Sequence, residues 1–197
     1  MSTARSGIGS HTLPNNGQGD TWLTPLPILS ALGEFDLDPC AAPSPRPWPT
    51  AKRMIESPED GLAVKWEGRV WLNPPYGRDI GRWMKKMALH CKWDHHTERQ
   101  FHHGIALTFA RTETEAWTKW IWPYAKAVLF IAGRLHFCRP DGIATKTNAG
   151  GPSALIAYSE WDIHVIENSG IAGTLVSTPT RNASCPHCLR GPLDSCI

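Results

Sequence analysis

The strongest constraint on the fold is the run Arg69-Val70-Trp71-Leu72, which leads straight into Asn73 and two consecutive prolines. A proline has no amide hydrogen for a ladder, and two in succession continue neither strand nor helix. A buried strand over 69–72 is therefore expected to stop at its carboxyl end, leaving Asn73-Pro74-Pro75-Tyr76 as a stiff loop. Asp79 is then placed to cap a helix with apolar Ile80, Trp83, Met84, Met87 and Ala88 at helical spacing, and Arg82, Lys85 and Lys86 on the other side.

The same grammar recurs along the chain. Thr24 can cap a short helix with Pro25 in its first turn, Leu26, Leu29 and Leu32 near one face, and Gly33 as its stop. Phe35 to Asp38 reads as a short strand ending in an acid, and Pro39, Pro43, Pro45, Pro47 and Pro49 exclude regular structure until a second strand at 53–56. Residues 104–110 form an apolar run of strand length. Thr112 and Glu115 form a capping box opening a helix through Trp117, Trp120 and Ile121, which Pro123 ends. Residues 127–132 and 153–158 complete the set as buried strands.

Strands alternating with helices argue for an α/β fold with a mostly parallel central sheet and helices on both faces. Ligands of such sheets bind outside the carboxyl ends of the strands, so Asp38 and the 73–76 loop are expected to share one crevice.

The 197 residues, 41% of them hydrophobic, suit one domain with a real core. Residues 1–20, rich in Gly, Ser and Asn, read as a disordered leader, and 21–170 as the folded domain. That domain carries a His-rich insertion loop at 90–103 and a Gly-rich loop at 139–152, and 171–197 reads as a C-terminal tail. A formal charge of +2 is too small for bulk electrostatics to hold nucleic acid, so any such binding needs a local basic face. The longest apolar run, 127–132, cannot span a bilayer, and no signal peptide is evident, so a cytoplasmic protein with no membrane partner is expected.

Asn73 and its prolines carry a specific chemistry. The amine of a base such as adenine is a poor nucleophile because its lone pair is delocalised into the ring. Two oxygens, one from an Asn side chain and one from a main-chain carbonyl, can each accept an amine hydrogen and pull the nitrogen toward a tetrahedral shape. Asn73 and Pro74 supply that pair, Pro75 stiffens the backbone, and Tyr76 offers a flat ring for a base taken out of its duplex. A stiff turn after a strand is the ordinary alternative. A flanking strand, helix and upstream acid favour the catalytic reading.

Ordered blocks extend this. Trp22-Leu23-Thr24-Pro25, residues 35–42, 59–62, Asn73 to Gly77, Ala110-Arg111-Thr112, 133–137 and 153–155 together resemble the phage-encoded adenine-N6 DNA methyltransferases of the Dam type. The resemblance implies a Rossmann-like fold that binds S-adenosylmethionine near Thr24, Pro25, Asp36, Asp38, Pro39, Asp60 and Asn73. It also implies methyl transfer to the N6 amine of adenine in DNA. An acid at a strand end can meet the cofactor's ammonium and another its ribose or adenine; the sequence leaves open which acid does which. The chain departs from many methyltransferases in having Asp38-Pro39-Cys40-Ala41-Ala42-Pro43 where a glycine-rich turn is common.

Arg78 and Arg111, beside the blocks, and Lys146 in the Gly-rich loop are the expected DNA contacts, and Arg82, Lys85, Lys86 and Lys92 could also grip phosphates. The Gly-rich loop suits target reading or a mobile lid. Cys185 and Cys188 make half a zinc knuckle, with Cys196 a third ligand, whereas a closed site needs four; free thiols are the plainer reading. His90, His95, His96, His102, His103 and Cys91 lack metal-site spacing and read as a solvated or DNA-facing loop. Two other functions fit the same residues: methylation of another planar amine or amide, such as RNA adenine or protein glutamine, and a non-catalytic nucleic-acid-binding module.

Overall fold

In the computed structural model, residues 22–92, 102–145 and 149–178 are described. The apolar runs form strands β1 (Leu37–Asp38), β2 (Arg53–Met54), β3 (Arg69–Leu72), β4 (His103–Phe109), β5 (Ala127–Ile131), β6 (Ser153–Ala157) and β7 (Gly173–Ser177). They hydrogen-bond into one seven-stranded sheet of order β2-β1-β3-β4-β6-β5-β7. The β1·β2, β1·β3 and β3·β4 pairings are parallel. The β4·β6, β5·β6 and β5·β7 pairings are antiparallel.

The fold is thus mixed α/β, and the expectation of a mostly parallel sheet holds for only half of it. A parallel neighbour needs a crossover, normally through a helix. No helix is described between β5 and β6, and β6 returns antiparallel beside β5. A strand buried on both faces reads the same in either direction, so composition could not have shown this.

Period-two alternation divides the core into two layers. Trp71, Ile105, Leu107, Leu129 and Leu155 share one layer with Leu29 and Leu32 of α1 (Leu26–Leu32) and Ile166 of α3 (Glu160–Glu167). Val70, Leu72, Ala106, Val128 and Ile156 share the other with Trp83, Met84 and Met87 of α2 (Ile80–His90) and with Trp117 and Ile121 of a π-helical turn. Helices therefore cover both faces, as the alternation predicts. Among the described residues, no helix is long and apolar enough to cross a membrane.

Local differences have local causes. Pro25 rather than Thr24 stands at the N-cap position of α1, because the buried Thr24 hydroxyl is engaged elsewhere. Asp79 does precede α2, but its side chain makes no capping hydrogen bond and pairs with Arg82 instead. The capping box at 112–115 does not close: Glu115 pairs with Lys119 one turn on, and the turn widens until the Trp122 N–H donates to the Trp117 carbonyl. α3 and β7 carried no sequence signal strong enough to be expected. α3 is capped by Ser159, whose hydroxyl accepts from the Asp162 N–H at 3.1 Å. β7 lies inside the stretch from 171 that reads as tail, yet it pairs with β5 along its whole length. It is largely exposed and shows no apolar run.

Candidate active site at the carboxyl ends of two strands

The strand order reverses between β1 and β3, with β2 to one side and β4 to the other. At such a switch point the connections leave in opposite directions and open a crevice. β1 ends there in Asp38 and β3 runs into Asn73, and both line a cavity of about 410 Å³.

Three contacts hold Asn73. Its amide nitrogen donates to the Thr24 hydroxyl at 3.2 Å, its amide oxygen accepts from the Tyr76 hydroxyl at 3.3 Å, and its main-chain carbonyl accepts from the Cys40 thiol at 3.3 Å. The amide oxygen keeps capacity for a second donor. Pro74 and Pro75 follow it along the cavity wall. Burial pushes the Tyr76 phenol above its usual range, so its proton stays available to Asn73. Its ring stacks on Phe109 at 4.2 Å and 15°, with the Phe137 ring roughly perpendicular at 6.4 Å. Phe109 therefore takes one face of the ring that the sequence offers for a base.

Asp38 is only 3% exposed. It accepts from the Cys40 N–H at 3.0 Å and from the Thr50 hydroxyl. Burial lifts its carboxyl to about 6, and the hydrogen bonds from Thr50 and Cys40 offset this only in part. Among the described residues no Lys or Arg forms an ion pair with it. Arg46, the cation that bears on it weakly, is engaged by Glu56, Ser44 and the Ala42 carbonyl.

Pro39 and Asp60 also line the cavity. Asp60 is exposed and accepts from the Leu62 N–H at 2.8 Å through one carboxylate oxygen. The turn after it presses on β1's exit: a Cβ on Gly61 would lie 1.7 Å from the Pro39 carbonyl oxygen, so only glycine fits.

Two of the residues implied for the cofactor lie elsewhere. Asp36 sits before β1, where it accepts from the Arg69 N–H at 2.9 Å and pairs with Lys52 at 3.0 Å. The Arg69 N–H, then Lys52, hold its carboxyl below the usual range. It belongs to the amino end of the sheet, since residue 36 precedes the two-residue strand that Asp38 ends. Pro25 heads α1 and does not line the cavity.

Arg78 is exposed just beyond Tyr76, and the Arg111 guanidinium lies 5.7 Å from the centre of the Phe109 ring, behind Tyr76. Lys146, Cys185, Cys188, Cys196, His95 and His96 fall outside the described residues. Among the described residues no group of three His, Cys, Asp or Glu side chains could hold a metal ion. His90 and His102 stack at 4.4 Å, and burial takes His90 down to about 4.

Sequence reasoning missed Cys40, Thr50 and Glu56 in the cavity wall. Cys40 stood inside a noted block without a role. Thr50 follows a proline-rich run with no periodicity, so nothing in the sequence connects it to Asp38. Glu56 ends the second expected strand, and an acid at that place is the signal that could have been read.

A family model described as DNA N-6-adenine-methyltransferase (Dam) matches residues 9–178. The chain belongs to this family of DNA adenine methyltransferases. No curated protein matches it.

Proposed function

We propose that this member of the Dam family transfers the methyl group of S-adenosylmethionine to the N6 amine of adenine in DNA, with the cavity between Asp38 and Asn73 as its active site. The observation that carries the reading is the shared opening. A buried carboxylate without an ion-pair partner among the described residues and an amide fixed by two side chains face one space at a strand-order reversal.

These residues fit the cofactor. About 410 Å³ falls within the roughly 300–1,000 Å³ of small-molecule sites. Asp38 is suited to an ammonium, because a cation would supply the stabilisation that burial denies its charged form. Asp60 and Glu56 offer carboxylate oxygens for hydroxyl or amino groups. S-adenosylmethionine supplies an electrophilic methyl group on a sulfonium.

The chain's own residues do the rest. The Asn73 amide oxygen, oriented by Tyr76 and Thr24, and the Pro74 carbonyl accept the two amine hydrogens and free the nitrogen lone pair. The two prolines keep that loop from relaxing. A base out of its duplex lies against the face of Tyr76 that Phe109 leaves uncovered, while Arg78, Arg111 and Lys146 hold phosphates. The parallel half of the sheet, with its reversal at β1 and β3, supports a Rossmann-like ancestry for the cofactor side.

The test offers purified protein methyl-labelled S-adenosylmethionine with unmethylated DNA, RNA or protein in parallel. Label is expected at N6 of adenine in DNA. Asn73→Ala is expected to lower kcat by about 10²–10³-fold or more, with cofactor affinity changed only a few-fold. Undiminished transfer by that variant would remove Asn73 from the mechanism, and label on RNA or protein alone would move the substrate.

A further inference from the structure

We infer that Lys86, on the α2 face that looks suited to DNA phosphates, is instead a positioning residue for the cofactor side of the active site; the inference rests on the reading of that cavity given above. Its ammonium donates to the carbonyls of Leu62 at 2.7 Å, Gly61 at 3.3 Å and Val64. An ammonium has three hydrogens, so three convergent carbonyls use all of them. The Trp66 indole N–H also donates to the Gly61 carbonyl at 2.7 Å, and the Lys86 nitrogen lies 5.0 Å from the centre of that indole. Burial lowers the Lys86 ammonium from its usual value.

This staple reaches the cavity through short steps. Asp60 and Gly61 line it, and Gly61 abuts the Pro39 carbonyl, one residue after Asp38. Trp83, another wall residue one turn before Lys86, stacks on Trp66 at 6.3 Å. The 61–64 turn is thus held from α2 on one side and from the exit of β1 on the other. Without the ammonium, the Leu62 and Val64 carbonyls lose their shared donor and Gly61 keeps only the Trp66 indole N–H, and the turn is expected to open away from Pro39.

Calorimetric titration of S-adenosylmethionine into the whole protein provides the test, with DNA affinity followed across salt concentrations. Lys86→Met keeps an apolar stem over Trp66 and removes the donors. It is expected to weaken cofactor binding about tenfold, with kcat at saturating cofactor within about twofold and the salt dependence of DNA binding unchanged. Lys86→Arg keeps the positive charge, but a planar fork cannot converge on three carbonyls around one point. It too is expected to lose cofactor affinity, and it carries the test if Lys86→Met fails to fold. Unchanged cofactor affinity in a folded variant overturns the inference. So does weaker DNA binding with a shallower salt slope, the mark of a lost phosphate contact. A wild-type protein that binds no cofactor strikes the reading of the cavity itself, which keeps the two failures apart.

Discussion

Two aspartates of similar depth stand at opposite ends of the sheet, and their surroundings send them opposite ways. Asp162, 0% exposed, meets the Arg69 guanidinium at 3.1 Å, the Ser159 hydroxyl at 2.6 Å and the Gly104 N–H at 2.8 Å. Arg69 also donates to the Leu32 and Glu34 carbonyls, both at 2.9 Å. Burial alone would raise Asp162, but His103, Ser159 and the Arg69 charge together hold it below the usual carboxylate range. Asp38, at the carboxyl end of β1, has hydrogen bonds but no ion-paired cation among the described residues and rises to about 6. At one end of the sheet the buried carboxylate meets its own countercharge; at the other a positively charged ligand would stabilise it.

The largest expected effect tests the closed end. Asp162→Asn leaves Arg69 buried without a countercharge and is expected to cost about 3–5 kcal/mol, read from denaturant unfolding at pH 7. Because Asp162 is held below its unfolded value of 3.8, its contribution persists above that pH and fades only as pH falls further.

A smaller effect of opposite sign is expected at the open end. Asp38 is raised from 3.8 to about 6, so its charged form carries a folding penalty that is absent below 3.8 and complete above about 6. At about 1.4 kcal/mol per unit, Asp38→Asn is expected to stabilise the protein by no more than about 3 kcal/mol at pH 8. The gain should vanish as pH falls to 4, and S-adenosylmethionine binding should weaken at pH 8. If Asp38→Asn destabilises at pH 8 as Asp162→Asn does, the contrast between the two ends is wrong.

Legibility in the sequence followed the range of the interactions. β3 matched residue for residue, because an apolar run ending at two prolines is a local signal that no tertiary context overrides. The places of the 73–76 loop and of Asp38 at strand ends were legible for the same reason. The antiparallel half of the sheet was not, since direction depends on crossovers rather than on the strands. Asp36 could not be separated from Asp38 by spacing alone: only the register with Arg69 assigns it to the other end. Thr24 could be read as a cap but not as a partner of Asn73, 49 positions away. Lys86 belonged to a basic helix face until the 61–64 turn closed over it, a contact that no periodicity encodes.

The most direct test of the account is the titration of the Asp38 side-chain carboxyl carbon by nuclear magnetic resonance, without and with S-adenosylmethionine. A midpoint of about 6 is expected for the protein alone. Cofactor should lower it by at least about one unit, as a cation placed beside the carboxylate requires. A midpoint that does not move when cofactor binds would place the ammonium elsewhere and contradict the proposed site.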